Sequence, residues 1–407
     1  GCLQTTRDGG KTWKNVADRV RGVPKGTYVT RIVASRHAEG TAYATFDGHR
    51  MNDFGIYVYV TADHGETWRE ITAGLPRNNG VVNVIREHFR NPNLLFLGTE
   101  YGAYVSFDRG ANWSPLKLNL PTVPVDDIAI HPRENDLILA THGRSIWVLD
   151  DLAPFEQMSD AVMARDVHIF ESRPATSWRI SGFRGSTGHK LFAGPNPPAG
   201  AAVDVYLKSA PKTNDKIALA IADGSGRTIR TIEMKAEDLR AGVNRIAWDL
   251  RPDPPVKAAP SQPGETRAEG AGLLFAPLVE PGAYRAVFSV GDKTATCAVT
   301  VDEDPRVEIE AAARAERRSA LDRLTEIGGR AYKALQVAGG LNSALNRTLE
   351  SWKKDGVSKI PADVRTAAEA LQKRAAEIHG RFVAPPLPEG WAGPPLEVWY
   401  HRPETVA

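Results

Sequence analysis

The stretch TTRDGGKTW, residues 5–13, decides how this chain folds, because its pattern occurs three times. The copies begin at Thr6, Thr61 and Ser106, and they share the spacing Ser/Thr-x-Asp-x-Gly-x-x-Trp. The intervals between the copies are close to the length of one β-propeller blade. The repeat therefore predicts a series of blades, each with the same turn at the same place.

The residue types of the motif are those of a hairpin turn. Aspartate accepts hydrogen bonds from nearby backbone N–H groups, and glycine adopts the positive φ that tight hairpins need. A calcium or catalytic loop would need several converging oxygens, and each copy offers one carboxylate. We therefore predict a structural role for three Asp–Gly–Trp sets: Asp8, Gly10 and Trp13; Asp63, Gly65 and Trp68; Asp108, Gly110 and Trp113.

This pattern resembles the Asp-box, also called the bacterial neuraminidase (BNR) repeat, over about residues 1–150. The run ATHGRSIWVLDDL (140–152), with the loop FDGHRMNDF (46–54), is similar to exported bacterial propeller proteins related to the sortilin receptor. Those proteins are often described as glycosyl hydrolases because of their Asp-boxes. The resemblance implies a secreted or periplasmic protein with a protein, peptide or glycan ligand.

Between the motifs, β-rich runs fall where the strands of a four-stranded blade are expected. They predict two complete blades, a half-blade before them and three strands after them, all within residues 1–151. Propellers close with four or more blades. We therefore expect an N-terminally incomplete propeller whose partners are the missing blades of the same protein. The alternative is that residues 1–16 pair with another chain.

The rest of the chain predicts a connector (152–200), a β-sandwich (201–304), a helical part (305–384) and a proline-rich tail (385–407). The runs AGVNRIAWDLR (241–251) and PGAYRA (281–286) resemble the immunoglobulin-like module of flagellar hook-cap type. Apolar residues three or four apart after residue 306 indicate a helical hairpin or a three-helix bundle. The predicted fold class is mainly β with an α-helical C-terminal part.

Composition excludes several classes of function. The net charge is +2, so no global field attracts nucleic acid. No run of about 18 apolar residues is present, so membrane insertion is not expected. The two cysteines and ten histidines show no ligand spacing, so neither a metal nor a cofactor is predicted.

A binding site is predicted on the loops between the second and third strands, opposite the Asp-box turns. These loops cover residues 47–54, 99–102 and 142–144. Polar and aromatic residues on rigidly held loops commonly form binding surfaces, although they can also be ordinary solvated residues. The candidate binding residues are Asp47, His49, Arg50, Asp53, Glu100, Tyr101, His142 and Arg144.

The sequence leaves two functions open. The first is a binding or scaffold protein. The second is an exported glycoside hydrolase, sialidase-like or xyloglucanase-like, with carboxylates in the missing blades or on these loops. Hydrolysis needs two flanking carboxylates, and no spacing among Asp47, Asp53 and Glu100 favours a pair. No catalytic set is identifiable. Arg31 and Arg86, which a sialidase-type site would need, are expected instead to form ion pairs or to cover neighbouring side chains.

Overall fold

The structure is a computed structural model that describes residues 2–77, 80–179, 194, 196–256, 276–355 and 360–382. The predicted tail, residues 385–407, lies outside the described residues. The chain divides into two compact units. One contains residues 1–171, 204–213 and 236–245, and the other contains residues 172–203, 214–235 and 246–407.

The first unit is a series of antiparallel sheets in chain order. A half-blade consists of β1 (Gln4–Thr5) and β2 (Lys14–Asn15). Blade 1 consists of β3 (Tyr28–Ala34), β4 (Ala42–Asp47), β5 (Tyr57–Thr61) and β6 (Arg69–Glu70). Blade 2 consists of β7 (Val82–Glu87), β8 (Leu95–Thr99), β9 (Gly102–Ser106) and β10 (Ser114–Pro115). Blade 3 consists of β11 (Val125–Ile130), β12 (Leu137–Thr141) and β13 (Ile146–Leu149). The predicted partial propeller is confirmed.

Each pair of neighbouring blades encloses its own apolar core. Tyr43 and Val58 of blade 1 pack with Val82 and Leu97 of blade 2. A second core lies between blades 2 and 3, and a third lies between the half-blade and blade 1. Burying both faces of a blade is what stabilises it, since a thin sheet has little core of its own.

The first strand of every blade carries a β-bulge at the same place. The pairing between the first and second strands shifts by one residue at Thr30, Asn83 and Asp126. The extra residue changes the side-chain alternation of the strand. As a result Val82 faces the core shared with blade 1, while Val84 faces the core shared with blade 3.

A short connector follows blade 3. It contains α1 (Ala153–Gln157), α2 (Asp160–Met163), β14 (Val167–Ile169) and β15 (Ala175–Ser177). Phe155 of α1 stacks on Phe107 with ring centroids 6.0 Å apart. The predicted connector is therefore partly structured, although residues 180–193 lie outside the described ranges.

Residues 201–303 form strands, as predicted. They are β16 (Ala201–Leu207), β17 (Ile217–Ala222), β18 (Thr228–Met234), β19 (Gly242–Trp248), β20 (Gly282–Val290) and β21 (Lys293–Glu303). The sheet orders are β14-β16-β19 and β15-β21-β20-β17-β18. Trp248 is completely buried, with its ring 5.3 Å from that of Tyr284. The immunoglobulin-like assignment stays a prediction.

The helical part is a hairpin of α3 (Ala311–Asp355) and α4 (Ala362–Gly380). The apolar series around Leu335 and Leu345 belong to a single helix, which continues without a break between them. Gly339 and Gly340 lie inside this helix. A Cβ at Gly339 would come within 2.9 Å of the His379 ring, so glycine permits the close approach of α4. None of the helices in the described ranges is long and apolar enough to cross a lipid bilayer.

Candidate functional site

The connections between second and third strands emerge at one end of the blades, which we call the loop face. Tyr28, at the start of β3, lies at the same end, because it pairs with Asp47. Asp47, Glu100 and His142 occupy equivalent places, each just beyond the same position of the second strand. The predicted binding residues therefore lie on one side of the propeller blades.

The long loop of blade 1 is fixed by its own carboxylates. Asp47 accepts a hydrogen bond from the backbone N–H of His49 at 2.8 Å and contacts the His49 ring. Asp53 accepts from the Gly55 N–H at 3.0 Å and from the Tyr57 hydroxyl at 2.9 Å. Both carboxylates thus shape the loop, which makes its outer surface preorganised.

The outer surface of this loop is more apolar and aromatic than the sequence prediction assumed. Tyr28, Met51 and Phe54 are exposed, and the Arg50 guanidinium lies over the Tyr28 ring at 5.6 Å. Sequence reasoning missed Met51 and Phe54 because it selected only polar and charged positions in this loop, and it missed Tyr28 because that residue lies in β3 and not in a loop. Large apolar side chains in a loop between strands were the available signal.

The loop of blade 2 is short and backed by the preceding connection. The Tyr101 N–H donates to the Thr99 hydroxyl at 3.2 Å, and the Tyr101 side chain is 48% exposed. Gly80 lies beneath this loop. A Cβ there would come within 2.5 Å of a Glu100 carboxylate oxygen and 2.8 Å of the Tyr101 ring. The exposed Tyr101 ring is therefore supported by close packing against Gly80.

The loop of blade 3 presents two basic side chains. The His142 ring nitrogen Nδ1 lies 3.3 Å from the Asp126 carboxylate, and the ring is 81% exposed. The Arg144 carbonyl accepts from the Trp147 indole N–H at 2.9 Å, which fixes the backbone. In the described part of the chain, the Arg144 guanidinium makes no hydrogen bond or ion pair. It can therefore bind an acidic group of a ligand.

The strand arginines are held by an aspartate that sequence reasoning did not single out. Asp127 of β11 accepts from Arg31 of β3 at 2.8 Å and lies 3.4 Å from Arg86 of β7. Arg86 also donates to the Ile128 carbonyl at 2.8 Å. These ion pairs join the first strands of three successive blades. They do not form the free arginine cluster that a sialidase-type site requires.

The three Asp-boxes make the same hydrogen bonds in three separate hairpins. Asp63 accepts from the Thr61 and Thr67 hydroxyls and from the Thr67 N–H, at 2.6–2.9 Å. Asp8 and Asp108 repeat this arrangement with their own neighbours. Each carboxylate is therefore satisfied inside its own turn and points at no shared pocket.

These hydrogen bonds favour the charged carboxylates. The Thr12 N–H and hydroxyl lower the pKa of Asp8 to about 2, and the Thr67 hydroxyl and N–H lower the pKa of Asp63 to about 2. Partial burial raises the pKa of Asp108, but the Asn112 and Ser106 hydrogen bonds outweigh it and lower the pKa overall. A group that stays ionised in this way suits a structural role.

The tryptophans of blades 1 and 2 lie between blades. Trp113 donates to the Ile71 carbonyl of blade 1 at 2.8 Å and is only 4% exposed. Trp68 packs in the core between the half-blade and blade 1. Trp13 has no preceding blade in the described residues and is 59% exposed. The Asp-boxes of blades 1 and 2 thus attach their blades to the preceding one.

One tyrosine on the loop face donates its proton to a carboxylate. Burial and the hydrogen bond to Asp53 raise the pKa of Tyr57 to about 12. The hydroxyl is therefore protonated at neutral pH and donates to Asp53. Within the described residues, no three His, Cys, Asp or Glu side chains are placed to hold a metal ion together.

Comparison with known proteins relates the blades to one receptor family. Residues 56–166 match the family described as Sortilin-Vps10 (sortilin, neurotensin receptor 3). The VPS10 domain-containing receptor SorCS1 of Mus musculus is 30% identical over 139 residues, which is 31% of this chain and 11% of that protein. The vacuolar protein sorting/targeting protein 10 of Leptosphaeria maculans is 22% identical over 133 residues, 31% of this chain and 9% of that protein.

The chain thus spans about a tenth of the length of these relatives. Among solved structures, the GH74 xyloglucanase from Xanthomonas campestris is similar at 21% identity. That similarity covers 36% of this chain and 23% of the other, with a TM-score of 0.30. The segment that matches the Sortilin-Vps10 family, residues 56–166, begins just before β5 and runs through blades 2 and 3 into the connector. The blades in this segment therefore resemble those of the sortilin family.

Proposed function

We propose that this chain is part of an exported bacterial sortilin-like propeller protein that binds a protein or peptide ligand on its loop face. The observation that carries the proposal is that loops held in place by their own hydrogen bonds carry exposed aromatic and cationic side chains. Tyr28, Phe54 and Tyr101 are exposed, while the carboxylates beneath them are used to hold the backbone. Rigid aromatic residues with arginine are the usual energetic centres of protein interfaces.

The charges on the loop face narrow the class of ligand further. The Arg144 guanidinium and the exposed His142 stand at one side of the face. Asp47 and Asp53 are occupied by loop hydrogen bonds, which leaves Glu100 against Arg50, His142 and Arg144, so the balance of charge on these loops is basic. An acidic or aromatic-containing peptide segment fits this chemistry better than a cationic ligand does.

The test is a binding screen on peptide and glycan arrays with the whole chain. Phe54→Ala and Tyr101→Ala are expected to weaken the selected ligand at least tenfold, as the loss of an aromatic anchor does. Trp13→Ala is the matched control, because it removes an exposed aromatic residue from the Asp-box side of the blades. Equal losses in all three variants would contradict the proposal.

The hydrolase alternative is tested beside it on aryl glycosides. We expect no turnover that depends on Asp47 or Asp53, since both carboxylates already hold the loop. Hydrolysis abolished by Asp47→Asn or Asp53→Asn, with loop structure retained by circular dichroism, would favour an enzyme. Selective glycan binding without hydrolysis would change the ligand class but keep the loop face as the site.

A further inference from the structure

Among the residues that the structure describes, the third strand of blades 1 and 2 is hydrogen-bonded along both edges, whereas that of blade 3 is paired along one edge only. The Ile71 N–H donates to the Val58 carbonyl at 2.9 Å, beyond the β5–β6 pair. The Leu116 N–H donates to the Ala103 carbonyl at 2.8 Å, beyond the β9–β10 pair. The equivalent carbonyl in blade 3 belongs to Ile146. Among the described residues, β13 pairs with β12 alone.

The side chains of β13 are also left uncovered. Ile146 is 66% exposed and Val148 is 55% exposed. Their equivalents in blade 2, Ala103 and Val105, are buried in the core that blade 3 completes. The strand reads Ile-Trp-Val-Leu and carries neither the lysine nor the proline that usually protects an exposed edge. In blades 1 and 2 the equivalent edge is covered by the fourth strand of the blade.

The charges at the two ends of β13 favour one orientation of charged residues in a strand added to this edge. The N-terminal end of β13 is preceded by the exposed basic residues His142 and Arg144, and its C-terminal end is followed by Asp150. The fourth strands of blades 1 and 2 run antiparallel to the third. A strand added in the same way brings its C-terminal end to Arg144 and its N-terminal end to Asp150. An acidic residue near its C-terminal end is therefore favoured.

We propose that the edge of β13 binds an extended segment of a partner protein, which adds as an antiparallel fourth strand. Its backbone N–H donates to the Ile146 carbonyl, and an acidic side chain lies at the Arg144 end. Main-chain hydrogen bonds provide the affinity and the charged end provides the direction, as in other cases of β-strand addition. This inference rests on the proposed peptide-binding function and names a second contact surface for it.

The chain itself supplies the probe. A synthetic peptide of residues 66–75, ETWREITAGL, contains the natural fourth strand of blade 1. In the equivalent register its Ile71 N–H meets the Ile146 carbonyl, and Ala73 lies at the Arg144 end. Peptides with Ala73→Glu and Ala73→Lys are therefore a matched pair that differs only in the charge presented to Arg144.

The measurement is hydrogen exchange of the whole chain with each peptide. We expect slower exchange in residues 145–149, with the Glu peptide about fivefold tighter than the Lys peptide. N-methylation of the Ile71 nitrogen is expected to weaken binding about tenfold, because the Ile146 carbonyl loses its donor. In the Arg144→Glu protein the preference between the two peptides is expected to reverse.

Several results would overturn the proposal. Protection of residues 145–149 that rises with protein concentration, without peptide, would assign the edge to a second copy. Protection at every concentration would assign it to this chain's own residues. Equal binding of the N-methylated peptide would exclude strand addition. Peptide binding that Tyr101→Ala abolishes, and that Arg144→Glu leaves unchanged, would remove this inference while leaving the loop-face function standing.

Discussion

At the scale of single residues, the same tryptophan has different consequences in different copies of the motif. Trp113 is buried between blades 1 and 2, whereas Trp13 is largely exposed. Trp113→Ala is expected to destabilise the first unit by about 3–5 kcal/mol, through lost burial and the cavity left behind. Trp13→Ala is expected to change stability by less than about 0.5 kcal/mol. Chemical denaturation followed by hydrogen exchange in β7 and β8 measures both.

The Asp-box carboxylates make acid sensitivity a second test at this scale. Their pKa values are lower in the folded chain than the ordinary 3.8, at about 2 for Asp8 and Asp63. Such a group contributes stability above pH 3.8, and the contribution is lost as the pH falls toward 2. Asp63→Asn is therefore expected to reduce the loss of stability between pH 4 and pH 2.

The control for the acid test is Asp292→Asn, in the exposed turn between β20 and β21. This aspartate accepts no hydrogen bond from the described residues. Tryptophan fluorescence and near-UV circular dichroism follow the titration. An unchanged acid transition in Asp63→Asn would contradict the pKa assignment.

Residue types alone predicted the turns but not the direction of their tryptophans. The Ser/Thr, Asp and Gly positions act within eight residues, so local chemistry determines them. The partner of Trp113 is Ile71, 42 residues earlier in the chain. Contacts of that separation depend on how blades stack, which spacing does not reveal. For the same reason, Tyr28 could not be placed beside Arg50 before the β3–β4 register was known.

At the scale of elements, the connections between blades tolerate different changes according to what lies beside them. Gly26 and Gly74 both have φ near +90°, so alanine strains both by about 1 kcal/mol. A Cβ at Gly74 would also lie 2.4 Å from the Trp113 carbonyl oxygen, whereas a Cβ at Gly26 meets open space. Gly74→Ala is expected to cost about 3 kcal/mol or more.

The two glycines are compared by thermal unfolding of the single variants. Gly26→Ala supplies the backbone strain without the collision. A similar change in melting temperature for both variants would show that the blade 2 hairpin moves easily to accommodate a Cβ at Gly74. The comparison therefore measures how rigidly the Asp-box of blade 2 is held against blade 1.

The helical hairpin gives a prediction of the same kind. Leu335 of α3 is buried, whereas Val337, two residues on, is 70% exposed. Leu335→Ala is expected to destabilise the hairpin by about 2–5 kcal/mol, and Val337→Ala by less than about 0.5 kcal/mol. Hydrogen exchange in α4 reports the effect locally. Equal protection of α4 in both variants would contradict the packing described for Leu335.

The sequence predicted the type of most elements, and where it differed from the structure the reasons are physical. Apolar spacing identified helices after residue 306 but divided α3 into two, because apolar residues drift around a long helix. Strand runs in the blades were located to within a few residues. The β-bulges at Thr30, Asn83 and Asp126 were not found, since one extra residue leaves the composition of a strand unchanged.

At the scale of the whole chain, the exposed face of blade 3 distinguishes it from blade 2. Val105 is buried between two blades, and its equivalent Val148 is exposed. Val105→Ser is expected to cost about 2–3 kcal/mol, through lost apolar burial and a buried hydroxyl. Val148→Ser is expected to change stability by less than about 0.5 kcal/mol in chemical denaturation, because its side chain is already exposed. A large loss of stability in Val148→Ser would show that this face is already covered.

The repeated bulge has a consequence for how such genes can change in length. Removing Asn83 would place Val84 next to Val82, opposite Gly98 and Thr99, so both side chains would keep their present faces in a regular strand. Removing Ile85 would instead bring Arg86 into its place, so that a guanidinium would enter the apolar layer shared with blade 1. Single-codon deletions should therefore be far less damaging at the bulge than later in the same strand. Losing or gaining an entire repeat would leave each remaining side chain on its present face of its strand.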